Sequence, residues 1–294
     1  MLAARHFSEP LRSRWQITSF SSLAAGSGAE LPDHDAVTRP VVLEPQVPAL
    51  RTSFTFPHGV RAGTCLHAIF ERLDFAQGER STLEHLVEQC LAEYGFEAEW
   101  TPVVADMVER VLAAPLDASQ SLALQRLPRD RRLNEVEFYY PLEGLTDEGL
   151  RRLLHTHGFA AASIRQEIER LSFAPARGYM KGFIDLVFEA NGRYYLADYK
   201  SNWLGSTIEA YRVEALHQAM ARETYYLQYV IYTLAVHRYL QLRLPEYDYD
   251  THFGGVFYLF LRGMDPKFPT YGVFRDRPTK HLMAALDTYV ATGS

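Results

Sequence analysis

Residues 179–200, YMKGFIDLVFEANGRYYLADYK, constrain the fold more than any other stretch of the chain. Two runs rich in β-branched and aromatic residues flank Asn191-Gly192, the pair preferred in a two-residue type I′ turn. The segment therefore reads as a β-hairpin, and its register follows by counting outward from the turn. With Ala190 opposite Arg193, Asp185 falls opposite Asp198, their Cβ atoms about 4.5–5.5 Å apart. Asp198 and Lys200 share a face, because side chains alternate along a strand. Phe183, Ile184, Leu186, Val187, Leu196 and Ala197 surround both aspartates with apolar neighbours, which predicts a strand buried on both sides.

Like charges directly opposite one another destabilise a sheet, and two desolvated carboxylates need a proton, a cationic side chain or a metal. On an exposed hairpin face, Lys200 alone would neutralise one of them. The apolar flanks favour the alternative, a divalent ion shared by Asp185 and Asp198. Oxygen donors with retained waters suit Mg²⁺ or Mn²⁺ better than zinc. A D…D-x-K set of this kind suits phosphodiester hydrolysis. The metal polarises the ester and acidifies its bound water, and Lys200 orients the nucleophile or offsets charge developing at phosphorus.

The rest of the chain reads as a lead-in, a tether and a globular part. A strand is expected around Trp15–Phe20. Residues 21–50 are rich in Ser, Gly, Ala and Pro, lack a sustained period and read as a linker. The expected organisation is the end of a preceding domain over 1–20, a linker over 21–50 and a complete domain over 51–294. Helices are expected from Thr64, as N-cap, to about Leu73, over 81–94, 101–113 and 147–156, over 207–241 with one break, and over 278–291. Strands are expected over 134–141 and 254–262. Helices and strands mix without strict alternation, so the class is α/β or α+β.

Several functions are excluded or disfavoured. The net charge is −6, unlike that of a protein that grips a polyanion unaided. Cys65 and Cys90, the two cysteines, cannot form a disulfide framework or a Cys-rich metal site. No apolar run is long enough to cross a bilayer. No phosphate loop or G-x-G-x-x-G fingerprint is present, so no nucleotide site is expected in this segment. The composition suits a reducing cytosol.

The segments G-F-I-D-L-V-F, N-G-R-Y-Y-L-A-D-Y-K-S-N-W-L-G, L-Q-Y-V-I-Y-T-L-A-V-H-R-Y-L and H-F-G-G-V-F-Y-L-F-L-R-G resemble RecB-type nuclease domains of bacterial exodeoxyribonuclease V, within the PD-(D/E)XK superfamily. The resemblance covers most of residues 51–294, and the lead-in W-Q-I-T-S-F-S-S-L resembles the junction that follows the helicase part. It implies an α/β, restriction-endonuclease-like core: a central mixed sheet flanked by helices. It assigns Asp185 and Asp198 as the acidic pair, with Ile184 standing where the superfamily motif has proline, and Lys200 as the lysine. It adds His67, from G-T-C-L-H-A-I-F-E, and the Tyr199 backbone carbonyl as metal ligands. Gln228 and Tyr232 match the Q-x-x-x-Y motif and would contact DNA or brace the site. Glu137 fits the upstream acidic position, with Glu135 on the same strand face as the alternative.

The resemblance further implies a Mg²⁺-dependent deoxyribonuclease acting in double-strand break processing, with Mn²⁺ or Ca²⁺ as substitutes in the site. Its DNA would be single strands delivered by a helicase, its partners RecC-like and RecD-like subunits, and a RecA-like recombinase would be a further one. The alternative is a partner-docking or RecA-loading module in which cleavage is secondary or silent. An iron–sulfur cluster of related nucleases needs four cysteines and is not expected here. Taken alone, His67 reads as a structural or surface histidine, and Trp203 as packing rather than base stacking. Arg126, Arg129, Arg131 and Arg132 read as a solvated face, with a phosphate or partner contact as the alternative.

Overall fold

The computed structural model describes residues 15–24, 50–76, 79–117, 122–159 and 162–293. Strand β1 (Gln16–Thr18) and helix α1 (Phe20–Ala24) come first, then helices α2 (Val60–Arg72), α3 (Arg80–Glu93) and α4 (Thr101–Ala113). A short pair follows, β2 (Pro115–Asp117) and β3 (Leu122–Ala123). Next come β4 (Arg132–Leu145), α5 (Asp147–His157), α6 (Ala162–Glu169), β5 (Ala176–Ala190) and β6 (Arg193–Lys200). The chain ends with α7 (Val213–Arg222), α8 (Tyr225–Arg243), α9 (Tyr249–His252), β7 (Phe253–Phe260), β8 (Val273–Asp276) and α10 (Lys280–Thr292).

The main sheet runs β1-β5-β6-β7-β8, with β4 also on β5. It is mixed: β1 and β5 are parallel, as are β6 and β7, and the other neighbours are antiparallel. Helices α2 to α4 cover one face through Leu66, Ile69, Phe70, Val87 and Val108. Helices α5 to α8 and α10 cover the other, among them Leu154, Ile168, Met220, Val230 and Leu286. Each fully buried side chain of this size contributes about 1.5–3 kcal/mol. The expected mixed sheet between helical layers is therefore present.

Where elements differ from expectation, local chemistry accounts for it. Helix α2 begins at Val60 after Gly59, whose φ of 99° suits glycine, and Thr64 lies inside it, bonding back to the Val60 carbonyl at 2.9 Å. The long helical run breaks at Thr224, which is left-handed at φ 59° and separates α7 from α8. Strand β4 continues through Pro141, tolerated because among the described residues β4 pairs only with β5 and so lies at an edge. Helix α6 and strand β8 were not anticipated.

The hairpin forms as counted, from Ala190↔Arg193 to Leu186↔Ala197, with Asn191 at φ 53° and Gly192 at φ 73°. There the ladder stops, and Asp185 and Asp198 are not a ladder pair. The rest of the sheet explains the gap. Strand β4 lines one side of β5. On the other side β1 takes residues 178–180 and β6 takes 186–190. Among the described residues no strand pairs with 181–185 on that side, which leaves a fork between β1 and β6. Residues 16–20, expected to end a preceding domain, and 21–24, expected to begin the linker, pack on this same sheet, with Thr18, Phe20 and Leu23 buried. Most of the expected linker, residues 25–49, lies outside the described residues.

Candidate functional site

The alternation of faces inverts at the fork. Ile184 packs with the α8 layer, yet Leu186, two residues on, packs with the α2 layer. Strand β4 inverts in step. Val136 packs with the α8 layer, while Asn134 donates to the Phe70 and Glu71 carbonyls at the end of α2. Between them stands Glu135, left-handed at φ 49°. That conformation costs a non-glycine residue roughly 1–2 kcal/mol. It places the strain at the centre of the site.

Asp185 fills the end of the ladder. Its Oδ2 accepts the Tyr199 backbone N–H at 2.6 Å, and its Oδ1 lies 3.4 Å from Nδ1 of His67 on α2. Ligand atoms of His67, Glu135 and Asp185 all lie within 4.8 Å of one another. The two carboxylates are hard oxygen donors that fit a Mg²⁺-like cation, and the imidazole is a borderline donor beside them, with the aspartate and histidine buried.

The opposite half of the fork is built around Lys200. This lysine is buried, with Nζ 2.6 Å from Asp198 Oδ1 and 3.2 Å from Gln228 Oε1. The ammonium also lies 4.0 Å from the Tyr225 ring centroid and 5.2 Å from that of Tyr258. Gln228 is itself fixed: Tyr258 donates its hydroxyl to Oε1 at 2.9 Å, and Nε2 donates to the Tyr232 hydroxyl at 3.1 Å. Gln228 and Tyr232 are both buried. Their hydrogen bonds join them to one another, to Lys200 and to Tyr258.

The two aspartates ionise differently. Burial pushes the Asp198 carboxyl up to about 8, against the pull of Lys200 and with the help of Asp185. For Asp185 burial acts in the same direction, but His67, Lys200 and the Tyr199 N–H outweigh it and hold the carboxyl below its ordinary range.

Not every expected site residue arrives here. Glu137 is exposed, and its carboxylate takes the Tyr139 hydroxyl at 2.9 Å and Lys181 at 3.1 Å. Glu135, the alternative, lies in the cluster. Asp198 stands beside Lys200 rather than within the His67–Glu135–Asp185 group. Tyr199 gives its N–H to Asp185 and stacks its ring on Phe70 at 4.6 Å. Arg132 is buried under Phe75 and donates to the Leu73 carbonyl, and Arg131 pairs with Glu189, so neither is a free phosphate contact. Tyr225 and Tyr258 were missed. Tyr258 reaches the site through the parallel pairing Asp198↔Tyr258, a register that no local sequence signal encodes.

Comparisons with known proteins give the family. The PD-(D/E)XK nuclease superfamily matches residues 46–292. The chain is similar to the RecBCD enzyme subunit RecB of Escherichia coli (strain K12), 42% identical over 282 residues, covering 94% of this chain and 23% of that protein. RecB of Haemophilus influenzae is 40% identical over 232 residues, 79% of this chain and 18% of that protein. RecB of Mycobacterium tuberculosis (strain CDC 1551 / Oshkosh) is 32% identical over 327 residues, 98% of this chain and 30% of that protein. The chain thus spans less than a third of the length of these relatives.

Proposed function

The chain belongs to the PD-(D/E)XK nuclease superfamily, and on that premise we propose that it is the metal-dependent nuclease domain of a RecB-like protein, hydrolysing DNA phosphodiester bonds. The observation that carries the reading is the convergence of His67, Glu135 and Asp185 beside the buried Asp198–Lys200 pair. His67, Glu135 and Asp185 are the residues that would hold the cation, and the family resemblance adds Asp198 and the Tyr199 carbonyl to its donors. When bound, a Mg²⁺-type ion supplies Lewis-acid polarisation of the phosphodiester and a more acidic water.

The chain's own groups do the rest. Lys200 presents a positive charge in a desolvated fork, where it orients the attacking water and offsets charge that develops on the phosphoryl oxygens. Asp198 and Gln228 hold its ammonium in place, and Tyr232 and Tyr258 hold Gln228. Preorganisation of this kind costs nothing at the moment of reaction.

The net charge of −6 supports a delivered substrate. Nonspecific affinity for DNA comes mainly from phosphate neutralisation, so a domain of this charge relies on a motor to bring the strand. RecC-like and RecD-like subunits and a RecA-like recombinase are the proposed partners, and exodeoxyribonuclease action leaving 5′-phosphates is the proposed mode. The test is cleavage of linear single-stranded DNA with Mg²⁺. Cleavage by the wild type that is lost in Asp198→Ala and in EDTA is the expected result. A folded wild type that leaves DNA intact even when a helicase feeds it the strand would overturn the reading.

A further inference from the structure

We infer that the indole of Trp203, stacked on His58, is a platform for one base of the DNA strand being cleaved. The inference rests on the nuclease reading above and deepens it.

The sequence favoured packing as the role of Trp203, but the side chain is 41% exposed. Its orientation is nevertheless fixed. Nε1 donates to the Phe54 carbonyl at 3.1 Å, and the ring lies nearly parallel to His58, with centroids 5.9 Å apart and planes 22° apart. Burial, and then Arg262, lower the pKa of His58, so a neutral ring backs the indole.

The segment that carries Trp203 is held from several sides. Arg262 donates to the Ser201 carbonyl at 3.0 Å and to those of Ser53, Phe56 and Pro57 at 2.7, 2.8 and 2.6 Å. Tyr211 donates its hydroxyl to the Asn202 carbonyl and accepts the Leu204 N–H, both at 3.2 Å. Tyr225 donates to Asn202 Oδ1 at 3.1 Å. An aromatic surface that is exposed and already immobilised loses little entropy when a flat ligand lands on it.

Two routes through the chain set its distance from the chemistry. Trp203 follows Lys200 by three residues, so their Cα atoms are within about 11 Å. His58 precedes Gly59, the residue that starts α2, and His67 lies about 12 Å along that helix. At about 3.4 Å per stacked base, those Cα separations amount to no more than roughly three to four bases. Stacking of this kind tolerates any base, since every base has a π face.

The test uses the full chain with Trp15→Phe and Trp100→Phe, which leaves Trp203 as the sole tryptophan, and Asp198→Ala to prevent cleavage. Oligo(dT) should quench its fluorescence saturably, and an abasic deoxyribose-phosphate strand of equal length should not. In the cleavage-competent chain, Trp203→Ala should raise KM for single-stranded DNA about tenfold, with the loss falling on KM rather than kcat. Trp203→Phe, which keeps a ring and guards against misfolding, should recover most of it. Unquenched fluorescence on a bound strand, or a wild-type KM in Trp203→Ala, would overturn the platform alone. Absence of cleavage by the folded wild type even when a helicase feeds it the strand would overturn the nuclease reading and this inference with it.

Discussion

Asp198 and Asp185 occupy one fork, yet their protons are held with opposite preference. Asp198 is raised to about 8 by burial, so without metal its folded state binds a proton more tightly than the unfolded chain does. Stability from that proton is present below the unfolded value near 4 and is lost as the pH rises through about 8. In scanning calorimetry of metal-free protein, the melting temperature of Asp198→Asn relative to the wild type should therefore rise as the pH goes from 5 to 9, whatever constant offset the loss of the Lys200 partner adds. Mg²⁺ should flatten that rise, and a difference that stays the same at every pH would count against a costly buried carboxylate. A second prediction concerns the two upstream glutamates. Glu135→Gln should slow cleavage about 100-fold or more. Glu137→Gln should stay within about twofold, because Glu137 is exposed and paired with Lys181. Rates in the reverse order would return the role to Glu137. The two-residue turn made the register legible as far as Leu186↔Ala197, but not the partners that Asp185 and Asp198 take beyond it. The choice between Glu135 and Glu137 was not legible, because it depends on one residue leaving the β region.

At the level of elements, the hairpin is right where its ladder is regular and departs where the sheet forks. Periodicity predicted a charged pair across two strands. What forms is an inverted strand pair, in which a carboxylate replaces a rung by taking the Tyr199 N–H. Helix α8 shows another limit of pattern reading. It is buried around most of its circumference, so its sequence shows the family motif but no face that says which way Gln228 and Tyr232 point. The loop after β6 depends on Arg262, a buried guanidinium bound to four main-chain carbonyls from distant stretches of chain. Arg262→Leu leaves those carbonyls without their donor, at a cost of about 3 kcal/mol or more. Urea denaturation should show that loss as a lower midpoint, and cleavage should fall with it as Ser201 and its neighbours loosen. An unchanged midpoint would mean that water or other donors replace the guanidinium without loss.

Over the whole molecule, the layers flanking the sheet followed from amphipathic helices that sequence can reveal, whereas the strand order did not. The lead-in reads as the tail of another domain because a long run without periodicity separates it from the rest. Its β1 nonetheless joins β5, and Phe20 and Leu23 enter the core. A chain shortened to begin at residue 51 should thus lose about 3–6 kcal/mol, from roughly 1.5–3 kcal/mol for each of those two side chains. An equal denaturation midpoint for the long and short chains would show that β1 adds nothing. The pairing of Gln16 with Gly178 also has a consequence in time. The partners are about 160 residues apart. At a synthesis rate of about 5–20 residues per second, roughly 8–30 seconds pass between the making of one and the other. Throughout that interval the first strand has no edge to join, so the piece of sheet made earliest must wait for a partner that emerges long after it.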